Sequence, residues 1–236
     1  MDYTASIITS VYNSLDQIEG LINDVRAQTF FEECEWILVD ADSPQKEYQL
    51  LEPFCSAHKN VHLHKLKKDK GVYDTWNYAI KNSSAPYITN WNCDDRRAPW
   101  AIERQVLSLD ENPDIDLVYN YILETDAPNE TFENNSANRM WDCLDFSAEN
   151  LYKVNSPHNC PMWRRYIHDD YGFFDTKYKS AADYDMWVRA VVGGSKFLKI
   201  DEVLALYYRN PEGVSTKQEN VHNAVKEFEE IRKCLK

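Results

Sequence analysis

Short β-branched runs alternate with amphipathic segments through the first half of the chain, and that alternation admits few folds. Ser6-Ile7-Ile8-Thr9-Ser10-Val11 reads as a buried first strand. Trp36-Ile37-Leu38-Val39, Val61-His62-Leu63-His64, Tyr87-Ile88-Thr89-Asn90-Trp91 and Ile115-Asp116-Leu117-Val118-Tyr119 read as the next four. Between the first two, Asn13 and Ser14 supply cap chemistry for a helix with Leu15, Ile18, Leu21, Ile22 and Val25 on one face. Residues 47–58 and 74–81 read as further helices. Pro99 is expected in the first turn of another, where its missing N–H is harmless, with Ile102, Val106 and Leu109 inward. Such an order favours an α/β fold with a mostly parallel, Rossmann-like sheet flanked by helices.

The second half is less regular. Residues 124–156 are polar and Asn-rich, and a loop of that length is usually functional or mobile. Residues 184–192 read as helix, 197–200 and 203–208 as extended, and 210–216 as a turn-rich loop. Val221, Val225, Phe228, Ile231 and Leu235 stripe a closing helix.

A length of 236 residues suits one domain that buries a core without disulfides. The net charge of -13 argues against a nucleic-acid binder, which needs clustered Lys and Arg. The six cysteines are scattered, with no Cys-x-x-Cys pair, so a reduced compartment is expected. No secretory signal and no run of membrane-spanning length is visible, and a cytoplasmic location is expected.

The chemistry concentrates at strand ends. Asp40 follows the second strand, and Asn92-Cys93-Asp94-Asp95 follows the fourth, so both would deliver acid to the carboxyl edge of the sheet. With only six glycines the chain lacks a Walker loop and a Gly-x-Gly-x-x-Gly fingerprint. A divalent cation on Asp94 and Asp95, with Asn92 as neutral partner, is the obvious way to hold phosphates. The bland reading makes these acids helix caps. Asp40 has a turn role as its alternative, and Asp183 can be read as general base or N-cap. Among the histidines only His158, in a loop stiffened by Pro157 and Pro161, has a suggestive setting.

Taken in order, these pieces resemble the family 2 glycosyltransferases of the GT-A, nucleotide-diphospho-sugar transferase, fold. Ser6 to Asn13 resembles the opening strand and loop of that family. Gln28-Thr29-Phe30 followed by Trp36-Ile37-Leu38-Val39-Asp40-Ala41-Asp42-Ser43 resembles its QTF and VVDDGS region. Asp69-Lys70-Gly71-Val72-Tyr73-Asp74-Thr75-Trp76-Asn77 is similar to the GIYDAMN variant of the next block, and Asn92-Cys93-Asp94-Asp95 stands at the DxD position. Tyr171-Gly172-Phe173-Phe174-Asp175 resembles the GGFDE turn, and Ala181-Ala182-Asp183-Tyr184-Asp185-Met186-Trp187 the AADYDLLLR variant of the catalytic helix.

The resemblance implies an inverting, metal-dependent (Mn²⁺ or Mg²⁺) hexosyl- or N-acetylhexosaminyl-transferase. Its co-substrate would be a nucleotide-sugar, usually UDP-linked, and its acceptor a hydroxyl on a glycan or lipid-linked sugar. It implies that Thr9, Val11 and Asn13 line the nucleotide pocket and that Asp40 reads the base. Gly71, Asp74 and Asn77 would border the ribose and diphosphate. Asp94 would hold the metal, with Asn92, Cys93 and Asp95 around it. Asp183 would be the base, and Arg209 and Ser215 would lie in a loop closing over the diphosphate. It further implies one domain: residues 1–121 for the nucleotide-sugar, 122–216 for acceptor and catalysis, and 217–236 as a C-terminal helix. Ala41, Asn92 and Ala182 depart from the commoner acidic residues. These departures keep open a catalytically degenerate sugar-nucleotide-binding or partner-binding module, and a metal-dependent nucleotidyltransferase or phosphohydrolase using the same acids.

Overall fold

The computed structural model describes residues 2–141, 143–214 and 216–235. The first half follows the expected alternation: β1 (Ala5–Val11), α1 (Ile18–Arg26), β2 (Cys34–Asp40), α2 (Tyr48–Ala57), β3 (Val61–Lys65), α3 (Val72–Lys81) and β4 (Tyr87–Asn90). Then come β5 (Arg96–Arg97), α4 (Ala101–Glu111), β6 (Leu117–Thr125), β7 (Arg139–Trp141), α5 (Ala148–Lys153) and β8 (Met162–Arg164). The chain closes with α6 (Ile167–Tyr171), α7 (Ala182–Val192), β9 (Phe197–Tyr208) and α8 (Gln218–Ile231).

One sheet runs in the order β3-β2-β1-β4-β8-β6-β9-β5, with β7 paired to β6. The long pairings, β1 with β2, β4 and β6 with β9, β2 with β3, are parallel, whereas the antiparallel ones are short. The chain winds outward from β1 to β3 and then crosses back to β4. The carboxyl ends of β1 and β4 therefore border the switch point where open α/β sheets bind ligands.

Strand alternation splits the core. Ile8, Ile37, Val39 and Ile88 face α3 and α7, while Ile7, Trp36, Leu38 and Val118 face α1 and α4. Side chains buried to this degree each contribute roughly 1.5–3 kcal/mol. Trp36, Trp91, Trp163 and Trp187 are almost completely enclosed.

Five expectations change. Residues 124–156 are not one irregular loop: β6 continues to Thr125, β7 pairs with it, and α5 begins where the Ser147 hydroxyl accepts from Asn150 N at 3.0 Å. The mixed Tyr, Asn and Glu composition masks that strand, because its two faces meet unlike surroundings. Pro99 precedes its helix, lying in the turn closed by the Ala101 N to Ala98 O bond. Residues 197–208 form one strand, with extra residues of β9 opposite Tyr121 of β6 absorbing the irregular register. On the closing helix only the end is covered: Phe228 stacks on Tyr184 and Ile231 is buried, whereas Val221 and Val225 are about half exposed. Leu15 is likewise exposed, and its turn is 3-10 rather than α. None of the six cysteines forms a disulfide. Among the described residues no helix is long and apolar enough to cross a membrane.

Candidate active site

A cavity of about 830 Å³ opens at the carboxyl ends of β1 and β4. Its wall includes Ser10, Tyr12 and Asn13 after β1, and Asn90, Asn92, Cys93 and Asp94 after β4. Tyr73 and Trp76 enter from α3, Asp183 from α7, and Tyr208, Asn210 and Lys217 from the C-terminal segment. Asp94 and Asp183 thus share one chamber.

The turn after β4 is held from beneath by buried cations. Arg96 Nη1 donates to Cys93 O at 3.0 Å and to Asp95 O at 2.8 Å, and the Arg97 guanidinium lies 4.6 Å over the Trp91 ring. Arg97 also donates to Thr89 Oγ1 and to Asn90 O. Gly20 makes room for this arrangement, since a Cβ there would lie 2.3 Å from Arg96 Nη2.

Within the turn the two acids part company. Asp95 is buried, and its oxygens accept from Asn92 Nδ2 at 2.9 Å and from Tyr208 N at 3.2 Å. Burial, with Asp94 alongside, pushes the Asp95 carboxyl well above the ordinary range. Asp95, expected beside the metal, is off the cavity wall and fastens the turn to β9. Asp94 turns the other way, its Oδ2 accepting from Asn210 Nδ2 at 3.0 Å.

Asp183 sits in the first turn of α7. Tyr73 Oη donates to its Oδ1 at 2.9 Å, and Asn155 Nδ2 to its Oδ2 at 2.8 Å. Burial raises its pKa, and these two bonds pull it back part of the way. The Tyr73 phenol is pushed well above its ordinary value by burial and by Asp183, so it stays a donor. Asp183 is not the N-cap. That position is Ala181, and Glu227 of α8 accepts from Lys179 N, Ser180 N and Ala181 N just before the helix.

Other expected residues fall elsewhere. Asn13 and Cys93 line the cavity, Asn13 with φ of 50° and its N–H on Ser43 Oγ, Cys93 with its thiol on Ser10 O. Thr9 and Val11 do not: alternation turns them into the sheet, where Thr9 Oγ1 accepts from Trp36 Nε1 at 2.9 Å. Ser10 and Tyr12 take their place, a one-residue displacement that the strand period could have revealed. Asp40 is wholly buried behind the wall, with Oδ1 accepting from Ser43 N at 2.8 Å and Oδ2 without a partner among the described residues.

On α3, Gly71 (φ 97°) turns the chain into the helix without lining the cavity. Asp74 lies off the wall, where Val72, Tyr73 and Trp76 stand instead. Asn77, expected at the ribose, is off the cavity wall and acts as a clamp: its amide donates to Phe174 O at 2.8 Å and accepts from Phe174 N at 3.0 Å. Arg209 is exposed and off the wall, and its neighbour Asn210 reaches Asp94. Ser215 lies outside the described residues.

The donor set suits a hard cation that is only partly held by protein. Asp94 offers one anionic oxygen, with the amides of Asn92 and Asn210 beside it. Among the described residues no three His, Cys, Asp or Glu converge as a closed metal cage. Mg²⁺-type ions are commonly bound in this way, by one or two carboxylates plus substrate phosphates.

Comparison with known proteins gives the same picture. The sequence profile described as Glycosyl transferase family 2 matches residues 6–172. An uncharacterized glycosyltransferase of Methanocaldococcus jannaschii is 23% identical over 212 residues, 87% of this chain and 70% of the relative. The minor teichoic acid biosynthesis protein GgaB of Bacillus subtilis is 29% identical over 119 residues, 50% of this chain but 13% of that protein. The structure superposes on S. aureus TarS 1–349 in complex with UDP-GlcNAc with a TM-score of 0.76 at 17% identity, covering 97% of this chain and 66% of that one. The mannosyltransferase PcManGT from Pyrobaculum calidifontis, in complex with GDP-Man and Mn²⁺, gives 0.73 at 13% identity, covering 97% and 63%. This chain thus spans just under two thirds of each of these two structures. It belongs to glycosyltransferase family 2 and has the GT-A fold.

Proposed function

We propose that the protein transfers a sugar, with inversion, from a nucleoside diphosphate donor to an acceptor hydroxyl, with Asp183 as base and Asp94 holding a divalent cation. The observation that carries this reading is the placement of both carboxylates on one cavity wall, one on the turn after β4 and one on α7. Single displacement needs a leaving-group site and a proton acceptor on opposite sides of the reacting carbon.

Asp94, with Asn92 and Asn210 beside it, would hold a divalent cation, which would supply stabilisation for charge developing on the departing phosphate. Asp183 takes the proton of the attacking hydroxyl. Its raised pKa brings it closer to a useful proton affinity at neutral pH, and Tyr73 and Asn155 fix its orientation.

UDP is the favoured donor nucleotide, supported by the TarS complex with UDP-GlcNAc. The unpartnered Asp40 Oδ2 is an acceptor suited to a base N–H. Residues 1–121 would carry the nucleotide and 122–216 the acceptor side, with 217–236 as the closing helix. The acceptor would be a hydroxyl on a glycan or lipid-linked sugar, in keeping with the role of the B. subtilis relative in minor teichoic acid biosynthesis.

Product analysis tests the reading. Incubation with Mn²⁺, UDP-sugars and a panel of hydroxyl acceptors is expected to release UDP together with a glycosylated product. Release of UMP or pyrophosphate would replace it with phosphohydrolase or nucleotidyltransferase chemistry. Tight UDP-sugar binding without turnover over any acceptor would make the chain a binding module.

A further inference from the structure

One stretch of the cavity wall is not accounted for by the base or the diphosphate end. The loop of residues 154–161 is tied to both. Asn155 Nδ2 donates to Asp183 Oδ2 at 2.8 Å, and Asn159 O accepts at 3.0 Å from Asn90 Nδ2, at the end of β4 beside the Asp94 turn. The loop therefore bridges the two ends of the chamber. In a single displacement the sugar in transit lies between the same two ends.

Its polar atoms are short of partners. Asn155 and Asn159 line the cavity and are each 6% exposed, yet Asn155 Oδ1 and Asn159 Nδ2 have no hydrogen-bond partner among the described residues. The same holds for His158 Nδ1 and for Trp141 Nε1, both on cavity-lining residues. Unmade buried hydrogen bonds are costly, and clustered exceptions call for a ligand or a solvent molecule.

The neighbouring rings form a platform. The His158 ring lies 4.8 Å from Trp141 at 33° and 5.2 Å from Tyr207 at 89°, and all three line the cavity. His158 is held at φ 40°, a conformation uncommon outside glycine that persists where surrounding structure enforces it. Apolar ring faces beside uncharged donors and acceptors match a pyranose, which has C–H faces and hydroxyl edges.

We infer that loop 154–161 and Trp141 form the subsite that reads the transferred sugar, and that this sugar is an uncharged hexopyranose rather than a hexuronate. This rests on the transferase reading above. No residue of the loop carries a permanent charge, and burial holds the His158 imidazole neutral, with a pKa lowered to about 4. The nearby cations on the wall are engaged, Lys153 with Glu149 and Lys217 with Glu212. Asp183, ionised as the base, would repel a sugar carboxylate.

Calorimetry with Mn²⁺ tests this, titrating UDP, UDP-glucose, UDP-galactose, UDP-N-acetylglucosamine and UDP-glucuronate into the wild type, His158→Asn, Trp141→Leu and Asn159→Ala. Asn tolerates left-handed backbone, so the first variant keeps the loop conformation. The wild type is expected to bind at least one neutral UDP-sugar about tenfold or more tightly than UDP-glucuronate. The variants are expected to keep UDP affinity within about twofold while losing about tenfold of the sugar's added affinity. Preference for UDP-glucuronate overturns the inference. So does an unchanged donor profile in all three folded variants, or a parallel loss of UDP and UDP-sugar binding. A wild type that binds no UDP compound removes the donor reading itself, a separate outcome.

Discussion

Replacing Tyr73 with Phe deletes one hydroxyl and keeps a ring that packs edge-on to Trp76 at 5.3 Å and against Phe174 at 5.9 Å. The deleted hydroxyl donates to Asp183 Oδ1 at 2.9 Å, a bond that favours the ionised carboxylate. Hydrogen bonds to charged groups contribute ~1.5–3 kcal/mol, and 1.36 kcal/mol moves a titration by about one pH unit. Burial already holds Asp183 above the ordinary carboxylate value, and Tyr73 is the larger of the side-chain bonds opposing it. Its removal raises the pKa further. A base must be ionised to accept a proton, so activity falls as pH drops through that pKa. The acid limb of kcat/KM is therefore expected to move to higher pH by about one pH unit or more in the variant. The assay is donor turnover across roughly pH 4 to 9, with thermal melts to confirm folding. A lowered plateau with an unmoved acid limb would refute the reasoning, because the titrating group would not be the carboxylate that Tyr73 touches.

Asp183→Asn is expected to lower kcat by ~10²–10⁴-fold with UDP affinity retained; full turnover would remove the base from the account. Asn77→Ala leaves the N–H and C=O of Phe174 unpaired, which costs ~1–3 kcal/mol for each group, and lowers Tm without changing UDP affinity of the folded protein. An unchanged Tm with lost nucleotide binding would restore Asn77 as a ligand contact. Burial raises Asp24 from 3.8 to about 6, against the bond its carboxylate accepts from Arg97 N. A raised carboxylate favours the folded state below its unfolded pKa, and that contribution is lost as pH rises through the folded value. Urea melts of the wild type relative to Asp24→Asn are therefore expected to lose up to about 3 kcal/mol between roughly pH 4 and pH 7. A constant difference across that window would contradict the shift.

The first half of the fold was legible because β1, β2 and β4 are buried on both faces and are short runs rich in β-branched and aromatic residues. β6 was only half visible, since beyond Tyr119 Ile122 and Leu123 are mixed with Asn120, Tyr121, Glu124 and Thr125 and the pairing with β9 is irregular at Tyr121. The Ser147 cap of α5 was present in the sequence but hidden by the Asn-rich stretch around it. In the site, Asp94 and Asp183 could be picked out by position along the chain. Which neighbours face the cavity depends on strand phase and on long-range clamps. Hence Ser10 and Tyr12 stand where Thr9 and Val11 were expected, and Asn210 where Arg209 was. Asn77 looked like a ligand residue because nothing local announces its partner, Phe174, far along the chain. Tyr73 and Asn155 became meaningful only once Asp183 was placed between them.

The central claim is that Asp94 and Asp183 flank one cation-bridged nucleotide-sugar. Diffraction from crystals grown with UDP and Mn²⁺, collected at the manganese absorption edge, tests it most directly. The account predicts an anomalous peak within bonding distance of Asp94 and of the diphosphate oxygens, with the open space beyond the β-phosphate leading to Asp183. Manganese bound away from Asp94, or UDP seated outside the cavity, would contradict it.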